Sequence, residues 1–385
     1  GYVVATALTV FVAILYYHII HMMFDIEHQL RNITGKSKFT FMEMINEGFE
    51  HVSSPLRVIF GPIIKVLLHL AFLAPTGNAV ALILMSNMLK NTLEYWGLEI
   101  TFMHAINLVF VPSMLLSVFV KKLNIMTPLS ALTNIFTIVI MVIVIIYPFY
   151  SSKPRSSPKP INDISAIPQN FGLLIDVFDA TMIFMTVKNE MRTPNAFSKF
   201  FGVLNVSGFI LFLVFFGFGF VGYWNYGEEV DANVLNNIPQ HNIASILVNV
   251  LFLPALIVHY YLSSYVRYDV YREKLLKTLQ VETYTHELLA EYSMGIFFNI
   301  VTYLFAVAVP NFRLFTTMVG TVDIIIDVGI LPLLQFCLMV TFWPGWKFST
   351  FLKGSKNIAI ILIALAMFLS SAKTCLKALI KLYNK

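Results

Sequence analysis

The feature that most restricts this chain is a succession of ten apolar runs, each long enough to cross a lipid bilayer. They cover residues 1–23, 57–86, 100–120, 128–149, 168–187, 199–223, 243–266, 289–309, 313–342 and 356–380. A spanning helix needs about 20 residues, and in hydrocarbon a run of this kind must satisfy its own backbone groups, which a helix does. The composition agrees: 58% of the 385 residues are hydrophobic and 12% are charged, against about 45–50% and about 25% in soluble domains. Such a chain cannot cover its core with a water-compatible surface. A soluble enzyme, a nucleic-acid binder and a secreted disulfide scaffold are therefore excluded, and Cys337 and Cys375 both fall inside apolar runs. The fold class is all-α, a polytopic membrane protein forming a single transmembrane domain over 1–385.

The connections carry an uneven charge. The Lys and Arg residues lie mostly on one side, from Arg31, Lys36, Lys38 and Arg57 through Lys188 and Arg192 to Lys353 and Lys356. The richer side is assigned to the cytoplasm. Two external loops follow. Residues 151–168 hold five Ser and four Pro and read as an extended linker, while 224–242 are polar and acidic through Glu228, Glu229 and Asp231. Within 24–56, Phe39, Phe41, Met42 and Ile45 predict a short interfacial helix. Pro75 and Gly77 interrupt the second run, and Gly329 and Pro332 the ninth, so both are expected to kink. The sequence starts directly in apolar residues without Met or a basic leader, which predicts a piece of a longer chain.

Ionisable groups at mid-span depth cost about 2.5–3.5 kcal/mol on insertion scales and so face a cavity or a partner. Asp176 and Asp179, three apart, share a helical face. Asp323 and Asp327, four apart, do the same. His69, His104 and His259 are single polar points in apolar helices. Each has a plainer reading: the first pair as a helix cap, the second as a packing ion pair, the histidines as structural hydrogen bonds. The run Phe215 to Gly222 reads as close packing through small residues. For a carrier, the telling pattern is a helix broken near the midplane, where free main-chain groups grip the substrate. The 168–187 run, polar at Asp176, Asp179 and Thr181, is the candidate. Its break would offer amide and carbonyl groups to an amino acid zwitterion, and a desolvated Asp179 would take up a proton.

Several stretches, in order, resemble the proton-coupled amino acid transporters of the amino acid/auxin permease family, particularly insect members. These are Asn189-Glu190-Met191-Arg-Thr-Pro194, Phe201-Gly202-Val-Leu-Asn205, Gly222-Tyr223-Trp-Asn-Tyr226-Gly227-Glu228-Glu229-Val230 and Asn237-Ile-Pro239. Val309-Pro310-Asn311-Phe312, Leu314-Phe315, Val319-Gly320 and Pro332-Leu-Leu continue the match. The resemblance implies a leucine-transporter-like bundle of two inverted five-helix repeats. It makes the first run the family's second helix, so that ten of eleven helices are expected here, and makes 168–187 the broken sixth. The pattern departs at Ala180 and Met182, where the family has glycine, and at Asp323, Asp327 and Gln335.

These readings converge on a secondary carrier of small neutral amino acids, coupled to protons and working by alternating access. The expected substrate site is Phe178, Asp179, Ala180 and Thr181. Asp176, Asp179, His259, Asp323 and Asp327 are candidates for the proton path. No metal, cofactor or nucleic acid partner is expected, and the plasma membrane or a lysosomal or vacuolar membrane is the expected home. Two alternatives stand beside this reading. One is a non-transporting amino acid sensor or scaffold with a carrier fold. The other is an intramembrane prenyltransferase using its aspartate pairs, although neither pair has Lys or Arg within about a turn for a diphosphate.

Overall fold

The computed structural model describes the chain apart from residues 74–75, 121–122, 151–156, 179–180, 232, 240–241, 279–282, 343–347 and 385. It also omits the side chains at 71–73, 123–125, 127, 182–183, 186, 190, 195, 266, 269–270, 273–274, 277–278 and 284. The described residues form helices and no strand. In chain order these are α1 (Tyr2–Thr34), α2 (Phe41–Glu50), α3 (Ser54–Leu73), α4 (Thr76–Tyr95), α5 (Phe102–Phe119), α6 (Leu123–Tyr150) and α7 (Ile167–Phe178). There follow α8 (Thr181–Glu190), α9 (Val203–Tyr226), α10 (Ile243–Thr278), α11 (Tyr284–Ala308), α12 (Phe312–Asp323), α13 (Ile330–Phe342) and α14 (Phe348–Tyr383). A π-helical segment, Ile324–Gly329, joins α12 to α13.

Among the described residues, eight helical segments are long and apolar enough to cross a membrane. The remaining two apolar runs are shared between helix pairs. Residues 57–86 fall on α3 and α4, where Lys65, Lys90 and Glu94 interrupt the apolar character, and 168–187 fall on α7 and α8. Several helices outlast their apolar stretch. α1 continues eleven residues past 23 and stops at Gly35, whose φ of 73° suits glycine and whose N–H returns to the Arg31 carbonyl. A chain already helical extends cheaply into water, because each further residue adds a hydrogen bond without new nucleation.

Compact packing groups the residues into two units, each drawn from separated stretches of sequence. The first takes 1–71, 159–220 and 316–385. Its centre is one face of α1, where Val12, Tyr16, Ile19, Ile20, Met23, Ile26 and Leu30 recur at helical spacing and are all buried. They pack with Phe171, Ile175 and Phe178 of α7 and with Leu331, Leu334 and Leu338 of α13. The interfacial helix foreseen within 24–56 is α2, opened by a reciprocal cap between Thr40 and Glu43. Phe41, Met44, Ile45 and Phe49 are buried within this unit, packing against α1 and α13 rather than facing lipid.

Two features of the first unit come from backbone geometry. Gly172 of α7 lies against Gly320 of α12, and a Cβ on Gly172 would sit 2.8 Å from the Gly320 carbonyl oxygen. The π segment precedes Pro332, which has no N–H for the Val328 carbonyl. In it Ile330 N–H returns to Ile325 O, one residue further back than in an α-helix. The kink foreseen from Gly329 and Pro332 takes this form.

The second unit takes 72–158 and 221–315 and holds α4, α5, α6, α10 and α11. Large apolar side chains stand outward in both units, such as Ile135, Ile138 and Val142 on α6 and Phe209, Ile210 and Leu213 on α9. A soluble monomer does not present stripes of this extent, so these faces meet acyl chains.

The glycine contact generates a stability prediction. Gly320→Val drives a side chain into the α7 backbone and costs about 1–3 kcal/mol, the usual range for overpacking. Gly217→Ala, where a Cβ meets nothing within 4 Å, leaves stability unchanged. Thermal unfolding in detergent separates the two: a lowered Tm is expected only for Gly320→Val.

Candidate functional site

The candidate site is built around the junction of α7 and α8 in the first unit. Phe178 is the last residue of α7 and Thr181 the first of α8. Asp179 and Ala180, the other two expected site residues, lie outside the described residues. Tyr16 of α1 reaches both flanks. Its ring stacks on Phe178 with centroids 6.2 Å apart, and its hydroxyl lies 2.8 Å from Thr181 Oγ1. Phe178 also meets Phe215 of α9 edge-on, at 6.1 Å. Tyr16 and Thr181 are fully buried, so the hydroxyl pair replaces hydrogen bonds that water cannot supply.

The acids foreseen as proton carriers are distributed unevenly. Asp176 is half-buried on α7, Asp323 half-buried at the end of α12, and Asp327 buried inside the π segment. α7 and the π segment pack together within the first unit. π segments recur at functional sites in other proteins, and this one carries a buried carboxylate. His259 belongs to α10 of the second unit and is exposed. Two other histidines have local partners: His104 Nδ1 lies 2.9 Å from Thr101 Oγ1 at the start of α5, and His69 Nδ1 lies 2.7 Å from the Lys65 carbonyl oxygen.

The sequence reading missed the main electrostatic feature. Lys188 near the end of α8 forms an ion pair with Glu27 of α1. Glu27 is 1% exposed and Lys188 7%. The ammonium also lies 4.6 Å from the centre of the Phe24 ring, a favourable placement over a π face. Nearby, Lys38 Nζ donates to the Asn189 carbonyl at 2.8 Å, and Asn189 Nδ2 donates to the Phe39 carbonyl at 2.9 Å. The end of α8 is thus tied to α1 and to the linker before α2. Counted from sequence, Lys188 is one more basic loop residue. Only a partner 161 residues away makes it a buried charge.

The same geometry explains part of the motif pattern. Asn205 donates to the Lys199 and Phe200 carbonyls, both at 3.1 Å, and its Oδ1 lies 2.9 Å from His21 Nε2 on α1. Gly202 is surrounded by the carbonyls of Ala196, Phe197 and Lys199, which leave no room for a Cβ. Asn311 Oδ1 accepts from Leu314 N–H at 2.9 Å, capping α12. These residues hold connections in shape.

In the second unit, a buried amide–hydroxyl network crosses four helices. Asn78 of α4 donates to Ser264 Oγ at 2.6 Å on α10. Tyr260 of α10 donates to Asn299 Oδ1 at 2.6 Å on α11, and Asn299 Nδ2 donates to Ser117 Oγ at 3.0 Å on α5. Past the apolar part of α10, Arg272 pairs with Glu287 and Glu291 of α11, and the Glu291 hydrogen bond holds its guanidinium above the usual arginine range. Among the described residues no three metal-ligating side chains cluster.

An all-helical chain with eight described segments able to cross a membrane and buried polar cross-links between helices is a polytopic membrane protein. Residues 1–376 match the family described as transmembrane amino acid transporter protein, and the chain belongs to that family. It is 24% identical over 388 residues to the proton-coupled amino acid transporter-like protein pathetic of Drosophila melanogaster, covering 100% of this chain and 80% of that one. It is 26% identical over 198 residues to the probable amino acid transporter skat-1 of Caenorhabditis elegans, covering 51% of this chain and 42% of that one. The family sets the chain among multi-pass amino acid carriers and not among enzymes.

Two outcomes are expected from the cross-links. Glu27→Gln or Lys188→Met alone leaves one buried charge without its counter-ion and costs about 3–5 kcal/mol. The double variant Glu27→Gln/Lys188→Met recovers most of that loss, as thermal unfolding in detergent will read. Tyr16→Phe keeps the ring stack and removes one hydrogen bond to Thr181, costing about 0.5–1.5 kcal/mol in the same measurement.

Proposed function

We propose that this protein is a secondary active carrier that moves small neutral amino acids together with protons by alternating access. The observation that carries the proposal is the setting of the α7–α8 junction, flanked by Phe178 and Thr181 and held from α1 by Tyr16. A main-chain discontinuity at 179–180 would turn the first amides of α8 toward a substrate carboxylate and the last carbonyls of α7 toward its ammonium. Asp179 is the proposed proton site. A carboxyl desolvated in the empty carrier holds its proton to higher pH, so proton uptake and substrate uptake are linked at one place. Asp176 and Asp327 serve as relays within the same unit. A leucine-transporter-like arrangement of inverted repeats is the proposed frame for this motion. The name of the Drosophila relative, which includes proton coupling, supports the reading.

Reconstitution in liposomes tests it. Labelled alanine and proline are expected to enter faster at external pH 5.5 than at 7.5 when the lumen is held at 7.5. A proton ionophore should abolish accumulation. Asp179→Asn is expected to lose accumulation by at least tenfold while exchange of internal for external alanine persists. Equal rates at both pH values would remove proton coupling, and binding of alanine without uptake would favour a sensor with a carrier fold.

A further inference from the structure

Between α1 and α2 the chain leaves the membrane and turns back on itself within the first unit. α1 stops at Gly35, and Phe39, 1% exposed, anchors the chain again. Lys36, Ser37 and Lys38 between them are exposed and belong to no helix. By the charge distribution of the connections, this segment faces the cytoplasm. Residues 31–40 hold three hydroxyl side chains, Thr34, Ser37 and Thr40, and two of them are committed. Thr34 Oγ1 donates to the Leu30 carbonyl at 2.8 Å. Thr40 Oγ1 accepts from Glu43 N–H at 3.3 Å in the reciprocal cap of α2. Ser37 Oγ has no partner within the protein among the described residues.

The two lysines beside Ser37 brace neighbouring elements. Lys36 forms an ion pair with Glu47 of α2, and Lys38 Nζ donates to the Asn189 carbonyl of α8 at 2.8 Å. Arg31, at the end of α1, adds a third basic side chain close in sequence. Ser37 is therefore an accessible hydroxyl in irregular backbone with cations on both flanks. A kinase with an acidic substrate cleft finds the complementary charge there, which steers the encounter and fixes register.

We propose that Ser37 is a phosphorylation site for a serine kinase that reads basic flanks, and that its phosphate releases the end of α8. In the transfer, a bond forms between Ser37 Oγ and the γ-phosphorus of ATP as the bond to the bridging β-phosphate oxygen breaks. ADP leaves with that oxygen and its electron pair, and the hydroxyl proton goes to the catalytic base of the kinase. The product carries about −1.5 to −2 charges at pH 7 and three acceptor oxygens. Phosphate oxygens attract an ammonium more strongly than a neutral carbonyl does, so Lys38 turns from Asn189 to the phosphate. Lys36 is drawn from Glu47 in the same way. The effect on uptake rests on the transport reading, in which α8 forms one flank of the substrate site; the modification itself does not.

The full chain in lipid nanodiscs, incubated with magnesium ATP and the catalytic domain of protein kinase C, tests both parts. Peptide mass spectrometry is expected to place phosphate on Ser37, and Lys36→Gln with Lys38→Gln to slow its incorporation about tenfold or more. Amide hydrogen exchange over residues 187–190 should rise about threefold as the brace on α8 opens. Ser37→Ala, treated identically, should keep the exchange of the unmodified protein. The half-saturating alanine concentration for uptake should rise about fivefold, the low end of coupling between separate sites. Absence of phosphate at Ser37, or equal incorporation in the lysine variant, overturns the site. Phosphate on Ser37 with unchanged exchange overturns the release of α8. Phosphate with faster exchange, but no uptake in either form, upholds the switch and removes the transport reading alone.

Discussion

In hydrocarbon, every main-chain amide and carbonyl must find a partner within the protein, and the whole architecture follows from that constraint. It makes each apolar run a helix, because a helix satisfies its own backbone. It then transfers the problem to the side chains. Lipid tails are as apolar as leucine, so burying leucine gains little between helices, and specific contacts must set which helices adjoin. The Glu27–Lys188 pair, the Tyr16–Thr181 hydroxyls and the Asn78–Tyr260–Asn299 network are such contacts. Close glycine packing between α7 and α12 serves the same end through van der Waals contact.

Two of these cross-links join α1 to α8. α1 holds α8 at both ends: Tyr16 at its first residue, Glu27 near its last. A helix fixed at two points moves with its holder, so α1 and α8 are expected to travel as one body through a transport cycle. The π segment beside α7 adds a second irregular element with a buried carboxylate, Asp327. Irregular backbone is tolerated at membrane depth where protein surrounds it, and the segment's Ile324, Ile326 and Val328 are buried where it packs against α1, α7 and α14.

The family motifs take on physical content in this setting. Asn189, Gly202, Asn205 and Asn311 close turns, cap a helix or bind the α8–α9 connection to α1. They explain why such stretches identify a fold without identifying a substrate. Residues that keep connections in shape need not touch what is carried. Asp323 and Asp327, which depart from the family pattern, sit at and within the π segment instead.

Much of the fold was legible in one dimension, because bilayer thickness and backbone chemistry act on length and hydropathy alone. The helical class, most spans, the interfacial stretch that became α2 and the irregularity before Pro332 all follow from local residues. Phe178 and Thr181 were expected at a substrate site because polar residues interrupt that apolar run, and they lie at the α7–α8 junction. Their holder, Tyr16, was not, and neither was the role of Lys188. A tyrosine in one apolar helix looks like any other, and a lysine near a helix end looks solvated. Which face of α1 meets α8, and therefore which charges are buried against each other, depends on contacts between residues more than 160 positions apart. Hydropathy decides that a segment enters the membrane; only the packing of side chains against one another decides which neighbours it meets there.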